Sequence, residues 1–333
     1  MSASDICESI DDLREFRLSL IGELRRLVQF DAFAWLLTDP TSEVGSDPVA
    51  DVPCLPELPR LIRLKYATDV NRWTGQTTPV ARLHDITGGR LDRSLVWREL
   101  LCDYDVSDVV SIVFRDRYGC WAFLDLWRCD GVFHDDHAQV LADHVSKITA
   151  ALRRCTLRTF DPSNGYRHRA TGPVVLLLSE RLEVMAQTPE TEGYLRRLVP
   201  PDAGQPPVPA GAYNVAAQLL AAEAGIDDNQ PVARVHLGGG EWLTMRAARI
   251  GEGIAIAIEA TPSAERLDLL GRSAGLTPRE MELLNLLGSG ADTRTLAGQM
   301  FVSEHTVQDH LKTIFTKTGM SSRRDLIART VTS

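Results

Sequence analysis

One segment near the end of the chain carries polar side chains at a spacing suited to contact with a nucleic acid. The residues that follow Ser303 predict a helix with an apolar face and a polar face. The apolar face carries Val307, Leu311, Ile314 and Thr318. The polar face and its flanks carry His305, Gln308, Asp309, Lys312, Thr313 and Thr316. Amide, carboxylate, ammonium and hydroxyl groups on one narrow helix complement the donors and acceptors of a DNA major groove. An amphipathic surface helix with a solvated face is the general alternative.

The residues that must position this helix begin with a strong helix start. Thr277 is the expected N-cap, Pro278 occupies the first helical position, and Glu280 closes a capping box. Gly288 and Gly290 are expected to end that helix. A short helix should follow them before the polar helix begins.

That second helix is expected over about 294–300, and Ser303 is the expected N-cap of the third. Two helices joined by so short a turn form a helix-turn-helix arrangement.

The whole segment resembles the DNA-binding domain of the LuxR family, also called the LuxR/NarL/GerE type. The resemblance covers about one-sixth of the chain, is gapless, and is far denser than a short motif. The matching residues are Leu276, Thr277, Pro278, Arg279, Glu280, Gly290, Ala297, Val302 to Val307, His310, Leu311, Lys312, Ile314, Phe315, Lys317, Gly319, Ser322 and Arg323.

The resemblance implies specific DNA-binding residues. Gln308, Asp309 and Lys312 fall where the family contacts base edges, and Thr306 and Lys317 where it reaches phosphates. Gln308 stands where the family usually has Lys or Arg, and Asp309 where it often has a neutral residue. The base preference is therefore expected to differ from that of better-known members, with weaker attraction to phosphates.

The resemblance also implies double-stranded DNA as a partner and a homodimer. In this family the fourth helix often mediates dimerisation; here it is expected to begin at Ser322, with Asp325 completing a second capping box. Leu326 and Ile327 supply its apolar side and are the expected dimer contact.

Composition bounds the rest of the molecule. A chain of 333 residues predicts two or three domains, and 44% hydrophobic with 24% charged residues is typical of a soluble globular protein. No apolar run approaches a membrane span, and the polar start lacks a signal-peptide pattern. We therefore expect a cytoplasmic protein with no membrane contact.

The net charge of −9 is unevenly distributed. From Arg272 onward eight basic and six acidic residues give +2, whereas the remaining 28 basic and 39 acidic residues give −11. A mildly basic end on an acidic body predicts DNA contact confined to that end.

Residues 1–160 predict a first sensor domain. Helices are expected at about Asp11–Gln29 and from His134 to about Arg154, and strands at 32–38, 109–114 and 120–127, with 41–59 as a loop. This layout resembles a GAF-type sensor domain. Trp73, Trp97 and Trp121 either line a pocket or pack the core.

A polar linker at 161–172 and a proline-rich loop at 199–210 bracket the start of a second predicted sensor domain, residues 172–262. Strands are expected at 174–178, 182–186, 232–237, 242–250 and 254–259, and helices near 190–198 and 215–224. The layout resembles a PAS-type sensor domain. Gly238-Gly239-Gly240 leads into a strand rather than a helix, which favours a hairpin turn over a phosphate-binding loop.

Two further groups of residues are candidates for chemistry. The six cysteines all precede residue 156 and form no CxxC pair, so buried thiols are favoured over a redox sensor. His134 and His137 are spaced for two metal ligands on a helix but have no indicated third ligand, so no metal and no cofactor are expected.

The sequence thus predicts an α+β protein: a GAF-like domain at 1–160, a PAS-like domain at 172–262, and an all-α four-helix helix-turn-helix domain at 270–333. The predicted function is a sequence-specific transcriptional regulator, not an enzyme, whose first two domains sense a small molecule or a partner. The alternative is a small-molecule-binding protein or enzyme with an accessory helix-turn-helix tail; no linear catalytic motif was found, although spatial catalytic sets escape linear reading.

Overall fold

The computed structural model describes residues 2–161, 172–198, 207–288 and 290–330. The predicted linker and proline-rich loop lie largely outside these residues, at 162–171 and 199–206. Among the described residues, no helix is long and apolar enough to cross a membrane.

The N-terminal part of the chain forms a five-stranded antiparallel sheet with helices before, between and after its strands. The strands are β1 (Ala32–Thr38), β2 (Gly45–Asp51), β3 (Val80–Arg82), β4 (Asp108–Asp116) and β5 (Gly119–Arg128), in the order β2-β1-β5-β4-β3. The α-helices are α1 (Ala3–Ser9), α2 (Leu13–Leu27), α3 (Leu58–Ala67), α4 (Leu83–Thr87), α5 (Leu95–Glu99) and α6 (Asp135–Arg158). Short 3-10 turns occupy Leu55–Glu57, Leu91–Arg93 and Leu101–Tyr104.

The hairpin between β4 and β5 depends on one glycine. Gly119 has a φ of +148°, and a Cβ atom there would lie 2.4 Å from the carbonyl oxygen of Pro40. A side chain at this position would therefore clash with the backbone. The strands predicted at 109–114 and 120–127 are present as β4 and β5, the two arms of this hairpin.

The predicted loop at 41–59 is wrong over part of its length, because β2 lies within it. Pro48 pairs with Leu36 of β1, and the register shifts at Leu36/Leu37. β2 is an edge strand, where a proline costs no ladder hydrogen bond. Asp47 is further held by a 2.6 Å ion pair with the buried Arg17. Gly, Asp and Pro in one short segment hid this strand from pattern analysis.

A second five-stranded sheet follows. Its strands are β6 (Val174–Leu178), β7 (Val184–Gln187), β8 (Val232–Gly238), β9 (Glu241–Ile250) and β10 (Gly253–Ala260), in the order β7-β6-β10-β9-β8. Its helices are α7 (Thr191–Leu198) and α8 (Ala210–Glu223). Gly238, Gly239 and Gly240 all have positive φ in the turn between β8 and β9, as the hairpin prediction requires.

Helix α8 is buried on nearly every side. All residues from Ala210 to Gln218 are buried, and the helix packs against α3 and β2. A helix that is apolar all round belongs in an interior. At Gly211, a Cβ atom would approach the Cε of Met245 to 2.8 Å, so small residues allow this close packing.

The two sheets belong to one compact unit, which we call unit 1: residues 2–152, 172–198 with 207–235, and 243–259. A buried ion pair joins them. Arg234 of β8 donates to both carboxylate oxygens of Asp39, at 2.5 and 2.8 Å, and neither side chain is more than 7% exposed. Burial by itself would raise the pKa of Asp39, but Arg234 and the Thr41 and Ser42 amides outweigh it and hold that pKa below its usual range.

The second compact unit, unit 2, contains residues 153–161, 236–242 and 260–330. Its helices are α9 (Ser263–Ser273), α10 (Pro278–Leu287), α11 (Thr293–Met300), α12 (Glu304–Thr318) and α13 (Arg323–Thr330). The segment 261–275 is mostly the helix α9. The predicted division into three domains stays a prediction.

The core of unit 2 extends beyond the predicted four helices. Phe160 and Trp242 stack with ring centroids 5.4 Å apart and join the leucines of α9 and α10 in one buried cluster. Arg266 of α9 lies over the Phe160 ring and donates to the carbonyl oxygen of Gly240. Unit 2 therefore includes the end of α6 and the tip of the β8–β9 hairpin.

Candidate nucleic-acid interface

Helix α12 has the two faces that the sequence predicts. Val307, Leu311, Ile314 and Thr318 are buried, which confirms its apolar side. Ser303 is the N-cap, accepting from the amide of Thr306 at 3.1 Å. Gly319 ends the helix with a φ of +69°. The cap and the buried face together fix which side of α12 faces outward.

Helices α11 and α12 are joined by the expected short turn. At the end of α11, the amide of Val302 donates to the carbonyl oxygen of Ala297 at 3.0 Å, closing the last turn. Phe301 occupies the left-handed position, with a φ of +55° and 95% of its side chain exposed. Only three residues separate α11 from α12, which is the spacing of a helix-turn-helix.

The capping box predicted for α10 is present, whereas the one predicted for α13 is only half formed. Thr277 accepts from the Glu280 amide while Glu280 accepts from the Thr277 amide, the reciprocal pair of a capping box. At α13, the amide of Asp325 donates to Ser322 at 3.1 Å. The Asp325 carboxylate instead accepts from Ser321, so the return bond is shifted by one residue.

Three predicted base-contacting residues lie on the outward face of α12. Gln308, Asp309 and Lys312 are all exposed. Asp309 lies between two basic groups: its carboxylate is 3.8 Å from the Lys312 ammonium and 3.5 Å from the His305 ring. The carboxylate offsets part of the positive charge that α12 presents.

Neighbouring contacts restrict several polar groups on α12. The hydroxyls of Thr313 and Thr316 donate to the carbonyls of Asp309 and Lys312 in their own helix, so they face outward as acceptors. The Gln308 amide donates to Thr293 Oγ1 at 3.4 Å.

Thr293 also accepts from Arg323 at 2.8 Å. Sequence reasoning did not assign a role to Arg323 beyond its family match. The contact shows that Arg323 links the start of α13 to the start of α11. Its partner lies 30 positions away, which no local pattern indicates.

The two residues expected to reach phosphates differ in their surroundings. Thr306 is half-buried in the first turn of α12, with its hydroxyl 2.8 Å from that of Ser303. The Lys317 ammonium lies 2.6 Å from Glu280 and 3.4 Å from the carbonyl oxygen of Gly275. To reach a phosphate, this ammonium would have to share or leave the Glu280 carboxylate.

The expected dimer contact needs a correction at one residue. Leu326 is fully buried in the core cluster of unit 2, so it is not available to a second chain. The apolar side predicted for this helix therefore faces the unit's own core at Leu326. Ile327 is half-buried.

The prediction of buried thiols holds for four of the six cysteines, whereas Cys102 is half-buried and Cys129 is exposed. The thiols of Cys54 and Cys120 are fully buried, and burial raises their pKa to about 11 and about 12, which makes them unreactive as thiolates. His134 and His137 have rings 5.6 Å apart, but no group of three metal-ligating side chains occurs in the described part of the chain. Trp97 and Trp121 donate to Val106 and Asp116, whereas Trp73 lines a cavity in unit 1.

Comparison with known proteins places a family domain on this unit. Residues 274–330 match the family described as bacterial regulatory proteins, luxR family (GerE). This range covers α10 to α13, so the C-terminal part of the chain is a LuxR-type domain, as predicted.

Several bacterial regulators are similar to this chain over a short stretch of its length. The response regulator Rre1 of Synechocystis is 34% identical over 86 residues, 26% of this chain and 34% of that protein. The monoamine regulon transcriptional regulator of Klebsiella aerogenes is 38% identical over 55 residues, 16% of this chain and 24% of its own length. The CsgBAC operon transcriptional regulatory protein of Escherichia coli K12 is 41% identical over 56 residues, 17% of this chain and 26% of its own length. The chain thus spans about a quarter to a third of these relatives.

Proposed function

We propose that this protein is a sequence-specific DNA-binding transcriptional regulator, acting as a homodimer, whose two N-terminal sheets sense a small molecule or a partner. The observation that carries the proposal is the outward face of α12, where Gln308, Asp309 and Lys312 stand exposed on a helix buried along its opposite side. The similarity of this unit to named transcriptional regulators supports it.

The proposed contacts divide by chemistry. Gln308 has an amide that pairs with adenine edges, and Asp309 can accept from the amino group of cytosine. Lys312 supplies charge to phosphates or a donor to guanine. Thr306 and Lys317 are the proposed phosphate contacts. The Lys317 ammonium would then bind the phosphate while sharing or leaving its ion pair with Glu280. The first sheet is proposed to be GAF-like and the second PAS-like.

Substitutions on α12 test the proposal in the full chain. Lys312→Ala should weaken binding to every DNA sequence, because it removes a charge, whereas Gln308→Ala should change preference mainly at one base pair, by about 1–3 kcal/mol. An operator selected from random duplexes and its single-base variants would give the affinities by fluorescence anisotropy at one fixed salt concentration.

Matched controls in unit 1 distinguish a direct contact of α12 with DNA from an effect of the overall charge of the chain. Lys147→Ala removes the same charge from α6, and Gln139→Ala removes an exposed amide there. Both should bind the operator like the wild-type chain. If the α12 variants also kept wild-type affinity and preference, α12 would not be the DNA-contacting helix.

The same duplexes report the stoichiometry. One unit with a net charge near +2 neutralises few phosphates, so tight specific binding is expected to need two copies on two half-sites. Native mass spectrometry of the complex should give two chains per duplex. A one-to-one complex protecting a single half-site would contradict the dimer. No operator selection at all would favour the rival class, an enzyme or small-molecule-binding protein with an accessory tail.

A further inference from the structure

The proposed base-contacting residue Gln308 is joined to a second helix by a hydrogen bond. Its Nε2 donates to Oγ1 of Thr293, the first residue of α11, at 3.4 Å. A glutamine amide has two N–H groups and an oxygen with two lone pairs, whereas the edge of adenine is read with one donor and one acceptor. Whichever end of the amide meets the Thr293 hydroxyl, a donor and an acceptor stay available. The amide can therefore keep this contact while it reads a base.

Thr293 is itself held by the start of α13. The Nη2 of Arg323 donates to Thr293 Oγ1 at 2.8 Å, and its Nη1 donates to the carbonyl oxygen of Ala291 at 3.4 Å. Two donors of one planar guanidinium thus contact the residues on either side of Asp292, the N-cap of α11. Arg323 and Thr293 are both half-buried, whereas Gln308 is exposed. An exposed amide is therefore attached to a hydroxyl whose own position is fixed by contacts between two helices.

This attachment bears on how DNA is read, because an exposed glutamine side chain otherwise samples many rotamers. Ordering one such side chain at an interface weakens binding by about two- to tenfold. A contact that orders the amide before DNA arrives removes part of that cost, but only for the base whose edge matches the ordered orientation. Such a contact therefore acts on base preference rather than on affinity for DNA in general.

We propose that Thr293 and Arg323 are positioning residues for base recognition: Arg323 fixes the Thr293 hydroxyl, and the hydroxyl holds the Gln308 amide toward the base edge. The preference at one base pair is then set by three residues on α11, α12 and α13, and of the three only Gln308 contacts the base. The inference rests on the proposed DNA binding by α12, and it deepens that proposal by naming what determines the specificity of the site.

Substitutions of Thr293 in the full chain test the positioning. Thr293→Val keeps the shape of the side chain and removes the hydroxyl, whereas Thr293→Ser keeps the hydroxyl. The base pair concerned is the one at which Gln308→Ala changes the preference. Fluorescence anisotropy with the selected operator and its single-base variants, at one salt concentration, should show that Thr293→Val reduces the preference there about two- to tenfold. Thr293→Ser should behave like the wild type, and preferences at all other base pairs should stay unchanged in both variants.

The double variant of Thr293→Val with Gln308→Ala distinguishes positioning from a direct contact of Thr293 with DNA. If the hydroxyl acts through the Gln308 amide, Thr293→Val has no further effect once that amide is gone. A loss of affinity for every duplex that persists in the Gln308→Ala background would mean that Thr293 binds the DNA backbone directly. That result would overturn the proposal.

Thr318→Val is the matched control for loss of a threonine hydroxyl from the same unit. The Thr318 side chain is only 5% exposed, on the buried face of α12, and its hydroxyl donates to the carbonyl oxygen of Ile314 at 2.8 Å. Its removal perturbs the packing of the unit without touching the contact of Gln308. Its base preferences should therefore equal those of the wild type. If Thr293→Val and Thr318→Val changed the preference equally, the effect would be one of stability, and the positioning role would be wrong.

A measurement without DNA keeps this inference separate from the proposed function. In the free full chain, the side-chain amide of Gln308 is identified as the pair of NMR signals that Gln308→Ala lacks. Its ¹⁵N–¹H nuclear Overhauser effect should show an ordered amide in the wild type and in Thr293→Ser, and a more mobile amide in Thr293→Val. Equal mobility in all three chains would overturn the positioning role. An ordered amide in a chain that selected no operator would instead contradict the proposed function and leave only the contact itself standing.

Discussion

At the scale of single residues, charge on α12 is partly neutralised before any DNA arrives. Asp309 lies within 4 Å of both Lys312 and His305, and Lys317 is paired with Glu280. The unit's attraction to phosphates is therefore weaker than a count of its basic residues implies. Discrimination between base pairs would then depend more on the Gln308 amide and the Asp309 carboxylate.

The Glu280 carboxylate links α10 to α12. It caps α10 by accepting from Thr277 and holds α12 through Lys317 at 2.6 Å, with its own side chain 6% exposed. Burial works to raise the pKa of Glu280, but the bonds from Lys317 and Thr277 outweigh it, so the pKa lies below the usual 4.5. A carboxyl group with a lowered folded-state pKa adds stability above pH 4.5 and loses it as the pH falls through the folded-state value.

We therefore expect Glu280→Gln to lower the free energy of unfolding of unit 2 by about 1–2 kcal/mol at neutral pH. Because the variant has no carboxyl group to protonate at this position, its stability should fall less steeply than that of the wild type as the pH is lowered. Hydrogen exchange of α10 and α12 amides in the full chain, measured from neutral to acidic pH, would show this. Glu282→Gln, on the same helix but in an exposed pair with Arg279, should change stability by less than about 0.5 kcal/mol. Parallel acid profiles for wild type and Glu280→Gln would contradict the linkage.

At the scale of elements, the helix-turn-helix helices share a core with pieces from far upstream. Phe160 follows the end of α6 and Trp242 is the second residue of β9, yet both pack with Leu267 and Leu270 of α9. Arg329 of α13 adds a 2.6 Å ion pair with Asp161. A tail cut out at residue 265 would lose these partners.

Trp242→Ala is accordingly expected to destabilise unit 2 by about 3–5 kcal/mol, the usual cost of deleting a large buried aromatic side chain. The readout is again hydrogen exchange of α10 to α12 in the full chain, because fluorescence would change with the tryptophan itself. Phe301→Ala is the control: that side chain is 95% exposed in the same unit, and its removal should cost little. Equal protection in wild type and Trp242→Ala would remove β9 from the unit 2 core.

At the scale of the whole molecule, a buried ion pair helps hold the two sheets together in unit 1. Asp39 follows β1 and Arg234 lies in β8, 195 positions apart in the chain, and their side chains are 1% and 7% exposed. Ser42 adds a hydrogen bond to the carbonyl of Val232. Removing only one partner of such a pair leaves an uncompensated charge in the interior.

Arg234→Met should thus destabilise unit 1 by about 3–5 kcal/mol, and Asp39→Asn in that background should recover part of the loss, because no buried charge remains. Urea denaturation of the full chain, monitored by near-UV circular dichroism, gives the free energies of unfolding for this double-mutant cycle. Arg246→Met in β9, whose exposed pair with Glu259 is strongly screened by water, should cost about 1 kcal/mol or less. Additive effects of the two substitutions would mean that Asp39 and Arg234 do not act as a pair.

The features that the sequence alone determined are contacts between residues close to each other in the chain. The capping box at Thr277 and Glu280, the Ser303 cap, and the two faces of α12 follow from contacts three or four residues apart, and the structure confirms each. The β4–β5 hairpin follows from alternating apolar residues around a glycine. In these cases the partner of each group is a near neighbour, so spacing determines the contact.

Only the tertiary structure decided features whose partners are distant. The burial of Leu326, the stack of Phe160 on Trp242, and the Asp39–Arg234 pair each join residues from separate elements. The same holds for the cavity lined by Trp73 in unit 1, whose wall includes Asn214 from α8. The sequence alone does not show whether a given side chain contacts solvent, a second chain or the core of its own unit. That depends on how whole helices and strands pack, because the energies of burial and ion pairing depend on neighbours that are distant in the sequence.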